Sequence, residues 1–424
     1  MTRRILAGGR ILDPSQNLDM VGDLVVEDGL IQGVHPAGTV TEGEIHDCRG
    51  LLITPGLIDI HVHLREPGFE YKEDIETGTR AAAAGGFTAV CCMPNTQPSI
   101  DTPAVVRQIL ERAEQVGSAR VYPIAALTRS MAGDQLSEIA ELKAAGAVAI
   151  SDDAFPIQCA ETMRRGMEYC SQFGMVLMTH NEDQTLTAGG AMNEGYTATI
   201  MGVPGIPRVS EDIAAARNVL LSRLTGCRLH LLHISTAGTV QILRLAKEAG
   251  LNVTGETAPH YWALTDSACE GFNTNAKMNP PLRTREDAEA IKKGLRDGTI
   301  DCIATDHAPH ASHEKEREFD LAPFGILGLE TAFALTYTCL VKGGVLSLSD
   351  AIEKMTIAPA NVLGLPGGTL RPGALADVSV FDLDAEWEVR PEKFHSKSRN
   401  TPFDGWKLQG RCRYTLVGGR VVNT

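Results

Sequence analysis

None of the ten cysteines forms a CxxC pair, which removes the usual framework of a zinc ribbon or a redox dithiol. Cys91 and Cys92 sit side by side in an apolar run and read as reduced core thiols. Reduced thiols point to a cytosolic setting. No apolar run approaches the roughly 20 residues that span a membrane. The opening Met1-Thr2-Arg3-Arg4, followed by Ile5-Leu6-Ala7, is too short in apolar residues for a secretory signal. The expectation is a soluble, cytoplasmic protein without a membrane partner. Basic residues are scattered through a chain of formal net charge −14, so the stripe that a nucleic-acid binder needs is missing.

The 424 residues, 43% apolar and 22% charged, suit an α/β barrel of about 250 residues with a smaller companion domain. Apolar, β-branched runs recur at 57–64, 88–93, 120–127, 147–153, 175–181, 228–236, 252–260 and 301–307. Helix-patterned segments lie between most of them, at 102–117, 135–146, 211–226, 237–250 and 284–298. Several open on Ser, Thr or Asp and close on Gly, as capped surface helices do. Eight such repeats predict a (β/α)8 TIM barrel of the α/β class over 56–364. A doubly wound open sheet is the alternative, but no glycine fingerprint follows the first strand. The ends differ: short strands at 4–7, 23–27, 30–34, 377–382 and 413–422 are broken by Gly and Asp. Neither end can bury a face alone, so 1–55 and 365–424 are expected to pair into one small β-sandwich domain.

Successive strand residues point to opposite faces, so His61 and His63 project together while Val62 points away. That pair alone is as compatible with two solvated histidines as with metal ligands. Asp153, His180, His233 and Asp306 each follow an apolar run, at the carboxyl ends of strands four, five, six and eight, where barrel active sites lie. Burying so many unpaired polar groups in one layer is costly unless they share a ligand. Imidazole and carboxylate are zinc ligands, and six exceed one tetrahedral shell. They suit two ions, bridged by Asp153. Two divalent cations less Asp153, Asp306 and a hydroxide leave roughly one positive charge, which favours an anionic or carbonyl ligand. Arg65, Asn95 and Asn279 lie in loops after strands, and Arg65 could grip a carboxylate bidentately or pair with Glu66 or Glu70. His310 lies in a loop that could reach substrate. His307 has the parity of a packing residue, and His230 is expected to face the helices. The charged run from Lys315 to Asp320 reads as a solvated loop.

Asp59-Ile-His-Val-His-Leu-Arg-Glu-Pro-Gly68 closely resembles the opening signature of dihydroorotases in the amidohydrolase superfamily. Met93-Pro-Asn-Thr96, Asn279-Pro-Pro-Leu-Arg283 and Ala304-Thr-Asp-His-Ala-Pro-His310 resemble that family's later motifs. The related allantoinases and dihydropyrimidinases usually bridge their metals with a carboxylated lysine. Here strand four reads Ala149-Ile-Ser-Asp-Asp-Ala154, and its aspartate resembles the long-chain (type I) dihydroorotases. The resemblance implies reversible cyclisation of N-carbamoyl-L-aspartate to L-dihydroorotate, with zinc, one or two ions per chain and two favoured. It implies Asp306 as general base, His61, His63, Asp153, His180, His233 and Asp306 as metal ligands, and His63, Arg65, Asn95, Asn279, His310, Phe324 and Gly325 at the substrate. It also implies a homo-oligomer and, as in some type I members, association with aspartate transcarbamoylase. An allantoinase-like cyclic-amide hydrolase, or a largely structural partner of the transcarbamoylase, are the alternatives.

Overall fold

The computed structural model describes residues 3–423. Eight parallel strands pair in chain order: Leu57–Val62, Phe87–Cys92, Arg120–Ala125, Ala149–Ser151, Leu177–Thr179, Leu229–Leu231, Val253–Thr257 and Cys302–Ile303. They are barrel strands one to eight, and each falls within one of the eight apolar runs or overlaps it. The circle closes after strand eight, where Val62 bridges His307 and the His63 N–H donates to the His307 carbonyl at 2.9 Å. Every strand is buried on both faces, which is why its apolar run is nearly continuous. Val90, Leu177 and Leu231 pack outwards against helices, whereas Ile60, Cys91, Met178 and Leu232 fill the barrel. Cys91 and Cys92 are both buried and unbridged.

The outer helices Pro103–Val116, Ile139–Ala145, Val209–Thr225, Ala237–Glu248 and Arg285–Arg296 stand where the capping signals predict. Thr284 caps the last of these, accepting from the Asp287 N–H while the Asp287 carboxylate accepts from the Thr284 N–H. Helix Ile357–Leu363 plugs the amino-terminal end of the barrel, its Ala360, Val362 and Leu363 joining the interior cluster. The carboxyl-terminal end is left to polar side chains.

The chain ends pair as expected, but through one mixed sheet of eight strands. In hydrogen-bonded order it runs Arg420–Asn423, Lys407–Val417, Val378–Glu388, Leu52–Pro55, Arg3–Asp13, Leu18–Glu27 and Leu30–Pro36, with Glu44–Asp47 also on Arg3–Asp13. The sandwich layering comes from curling of this sheet. Leu24 and Val26 of one limb share a core with Val378, Val380 and Leu416 of the other. Leu30 bridges Leu375 across the opening.

Several contacts fasten this sheet to the barrel. Arg120 holds Asp377 bidentately at 2.7 and 3.1 Å, Ser379 donates to the Gly86 carbonyl, and Phe381 stacks on Phe333 with centroids 3.7 Å apart. Gly86 must lack a side chain here: its φ is +90°, and a Cβ would lie 2.6 Å from the Phe381 ring. Removing the buried ring leaves a cavity between the two units. Phe381→Ala is expected to lower unfolding stability by about 3–5 kcal/mol, read as a shifted denaturant midpoint. An unmoved midpoint would show that the stack does not fasten the sheet.

Candidate active site

Strand one reaches the site through an irregularity. Its pairing with strand two shifts between Asp59 and Val62, and there the inward face passes from Ile58 and Ile60 to His61 and His63. Val62 turns outwards into the helix-side core. Asp59, fully buried beneath, accepts from the His61 N–H at 3.0 Å and the Thr305 N–H at 3.2 Å, tying strand one to strand eight. At the other strand ends the backbone turns sharply. Arg65, Ala154, His233 and Asp306 have φ of 64°, 72°, 34° and 47°, a region that costs non-glycine residues energy and recurs at functional sites.

The six expected ligand residues meet at one buried point. Asp153 Oδ2 lies 3.5 Å from both His61 Nε2 and His63 Nε2, and its Oδ1 lies 3.3 Å from His233 Nε2 and 3.6 Å from His180 Nδ1. Each oxygen of one carboxylate therefore addresses one histidine pair. Asp306 Oδ1 adds to the first pair, 3.1 Å from His63 Nε2 and 3.4 Å from His61 Nε2. Overlapping triads, His61–His63–Asp153, Asp153–His180–His233 and His61–His233–Asp306, each present ligand atoms within 4.8 Å of one another. The donor set fits divalent metal. His61 Nε2 and His233 Nδ1 are buried without a hydrogen-bond partner, and His180 Nδ1 faces His233 Nε2 at 2.8 Å.

Three of the imidazoles are aimed from behind, as metal-ligating histidines are. His61 Nδ1 contacts Glu256 at 2.6 Å, His63 Nδ1 contacts Asn95 Oδ1 at 2.9 Å, and His180 Nε2 contacts Glu182 at 3.0 Å. Glu256 also meets His230 at 3.1 Å, and His230 bonds Thr254 at 2.7 Å. His230 therefore faces the barrel interior and not the helices, which corrects the parity expectation. Strict alternation from His233 would turn His230 outwards, but the left-handed turn at His233 breaks it. Glu256 and Glu182 were not singled out from sequence. An acidic residue on the inward parity of strand seven was the available signal for Glu256; Glu182 resembles any acidic loop residue.

The electrostatics follow from packing. Burial would depress His61, but Asp306, Asp153 and Glu256 hold it well above its usual range. Burial likewise opposes, and Asp153 and Glu182 overcome, in raising His180 to about 10. Despite burial, the surrounding imidazoles hold Asp153 and Asp306 well below the usual carboxylate range.

Over this cluster opens a cleft of about 370 Å³, lined by Arg65, Asn95, Asn279, His310 and Phe324 among others. Arg65 is buried, and burial pushes its guanidinium down to about 10. It donates to the Pro309 carbonyl at 3.1 Å and has no carboxylate partner among the described residues. Glu66 pairs with Arg112, and the Glu70 carboxylate accepts from the Gly68 N–H, so the surface ion pair is not formed. Burial takes His310 down to about 3, so its ring is neutral. Its Nε2 lies 2.8 Å from the Phe324 carbonyl. The Asn279 amide donates to Glu182 at 2.7 Å, while its Oδ1 is buried without a donor. Gly325 sits behind the lining: its N–H donates to the Lys277 carbonyl, and its carbonyl accepts from Asn400 and Lys315. His307 packs, its Nδ1 accepting from the Gly328 N–H.

Lys315 is the exception to the expected solvated loop, in which Glu316, Arg317, Glu318 and Asp320 are exposed. It is buried, and its ammonium donates to the carbonyls of Pro323, Gly325 and Lys277 at 2.8, 3.1 and 3.4 Å. It thereby fixes the turn that carries Phe324. Lys315→Met is expected to raise KM severalfold while metal content stays constant; unchanged KM would make the lysine a scaffold contact only. Metal loading has its own signature. Ligation needs a nitrogen lone pair, and His180, raised to about 10, holds its proton through neutral pH. Loading is expected to release at least one proton and to weaken as pH falls. Titration calorimetry in buffers of different ionisation enthalpy reads this directly, and heats independent of buffer would refute it.

Residues 50–239 match the family described as dihydro-orotase-like, and residues 275–423 match the amidohydrolase family. The chain is 51% identical over 418 residues to the dihydroorotase of Acetivibrio thermocellus, covering 99% of this chain and 98% of that one. It is 52% identical to that of Syntrophotalea carbinolica, with the same coverage. Among solved structures, the L-hydantoinase (dihydropyrimidinase) from Arthrobacter aurescens superposes with a TM-score of 0.90 at 27% identity, covering 100% of this chain and 96% of the other. A dihydropyrimidinase from Brevibacillus agri, at 22% identity and a TM-score of 0.87, covers 100% and 95% and shares the fold. With likeness at this level running from end to end, the chain belongs to the dihydroorotase family of the amidohydrolases.

Proposed function

We propose that this cleft interconverts N-carbamoyl-L-aspartate and L-dihydroorotate by reversible cyclisation, as a dihydroorotase of pyrimidine biosynthesis does. The chain is a cyclic amide hydrolase. The observation that carries the substrate is Arg65: a buried guanidinium without a carboxylate partner, opening on the same cleft as the metal-ligand cluster. A hydantoin or dihydrouracil ring brings no carboxylate to offset the cost of burying that charge, whereas dihydroorotate does.

The six-ligand cluster suits zinc, and the two-sided Asp153 carboxylate supports two ions per chain. Bound there, a divalent ion supplies Lewis acidity, acidifying water and polarising a carbonyl. Asp306, ionised because neighbouring imidazoles hold it so, accepts the proton of the attacking water and passes it to the leaving ring nitrogen. Arg65 grips the spectator carboxylate. Asn95, whose Oδ1 is engaged by His63, offers its amide N–H to the same group. Neutral His310 fixes the Phe324 carbonyl beside the ring, and the unpaired Asn279 Oδ1 accepts from a ring N–H. Phe324 forms the wall opposite the metal ligands, and Gly325, behind the lining, holds that turn through its own backbone bonds.

No described helix is long and apolar enough to cross a membrane; the cytoplasm is the location we assign to this enzyme. We assign it a homo-oligomeric state and aspartate transcarbamoylase as the macromolecular partner to try first. Metal analysis alongside hydrolysis of dihydroorotate, allantoin and dihydrouracil, with and without the transcarbamoylase, tests the assignment. Preference for allantoin or dihydrouracil would overturn it. Asp306→Asn is expected to retain part of the metal yet lose about 1,000-fold or more in kcat. Arg65→Met is expected to raise KM for dihydroorotate about 100-fold while sparing metal content. Near-normal kcat in the first, or near-normal KM in the second, would remove the assigned role.

A further inference from the structure

Helix Val209–Thr225 buries one face against the barrel through Ala214, Ala215, Asn218, Val219 and Ser222. Its opposite face is also apolar, yet open to solvent: Val209, Ile213, Leu220 and Leu224 are 47%, 50%, 63% and 66% exposed. At about 100° per residue these four fall within an arc of about 60°, so they form a single stripe roughly 25 Å long. A helix apolar on both faces is expected to be covered on both, and large side chains left open in a row mark an interaction surface.

The stripe is symmetric about the point midway between residues 216 and 217. Val209 and Leu224 are equidistant from that point, as are Ile213 and Leu220. A two-fold axis there, with helices antiparallel, sets Val209 against Leu224 of the second copy and Ile213 against its Leu220. Ala216, at the crossing, lets the helices approach closely. Arg217 stays out of the seam, its guanidinium donating to the carbonyls of Ile157 and Gln158. Charge agrees with the same register. Arg223 is exposed and without an ion-pair partner among the described residues. By the same helical angles it lies on the flank of the stripe that carries Asp212, and the two-fold axis brings Arg223 of one copy within about two residues' rise of Asp212 of the other. Antiparallel helix dipoles add to this. Exposed Leu186 and Leu245, on the flanking helices Gln184–Thr187 and Ala237–Glu248, widen the surface towards the roughly 800 Å² per partner of a stable interface.

We propose that helix Val209–Thr225 is the centre of a two-fold interface between copies of this chain, registered on Ala216. A transcarbamoylase or other foreign partner would not require the stripe to mirror itself. Sedimentation velocity on the metal-loaded chain is expected to show a dimer at micromolar concentration. Ile213→Asp should weaken it about 100-fold or more, with the circular dichroism spectrum unchanged. Register is tested in a Cys159→Ser background, which removes the exposed native thiol. Ala216→Cys should oxidise to a covalent dimer, and Leu224→Cys should not, because two copies of residue 224 lie at opposite ends of the seam. A monomeric parent chain overturns the proposal, as does a dimer indifferent to a folded Ile213→Asp variant. Should that variant fail to fold, the cysteine pair decides: cross-linking at 224 and not at 216, or at neither, also overturns it.

Discussion

The mouth of the barrel is organised around one buried carboxylate, Asp153, whose two oxygens each face a pair of imidazoles. An ionised group in so dry a place is tolerable only if its surroundings return what water would have supplied. Four histidines do so, and three of them are held from behind by side chains that reach further into the fold. Glu256 fixes His61 and is itself fixed by His230, which Thr254 holds in turn. Glu182 fixes His180 and is held by Asn279 and Thr187. The chain of dependence thus runs from strand four through strands one, five, six and seven. It reaches the cleft wall at Asn279, so that the histidine–carboxylate cluster and the wall share a hydrogen-bonded frame.

Asp153 also constrains the backbone around it. A short side chain at the end of strand four must sit closer to both histidine pairs than a long one would. The sharp backbone turn at Ala154, and those at His233 and Asp306, bring the strand ends inwards enough to close that distance. Strain of this kind, about 1–3 kcal/mol per residue, persists where the surrounding packing over-determines it. Here the surrounding packing is the closed barrel, pinned between its first and last strands by Asp59.

Much of this was legible in the residues because buried parallel strands print themselves as continuous apolar runs. A polar residue at the end of such a run stands out, which is how His61, Asp153, His180, His233 and Asp306 were found. What stayed hidden depends on three dimensions. Glu182 follows His180 in an ordinary acidic loop, and nothing local distinguishes it from a solvated side chain. His230 was turned the wrong way because alternation fails once the backbone enters the left-handed region at His233. Lys315 lies in a charged run, and only the fold shows that its ammonium is enclosed by three carbonyls. Most terminal strands were recognisable one by one, Glu44–Asp47 and Leu52–Pro55 excepted, but their union into a single curled sheet rests on long-range pairing such as Leu52–Pro55 against Val378–Glu388.

The same distinction between local and distant causes separates Arg65 from the ion pair it resembled. Two acidic neighbours in sequence made a surface bridge an economical reading. Glu66 instead turns to Arg112, and its carboxylate also accepts from the Ile75 N–H, while Glu70 closes a turn at Gly68. The left-handed backbone at Arg65 points its side chain the other way, towards the Pro309 carbonyl and His310. A guanidinium in that position keeps its charge despite burial, since even at about 10 its pKa lies above any working pH. It must then find a negative partner outside the protein or bear the desolvation alone. The cleft therefore carries two unmet demands, nitrogen lone pairs awaiting a cation at its floor and a cation awaiting a carboxylate at its wall. A carboxylate-bearing cyclic amide answers the second while its ring amide lies over the first.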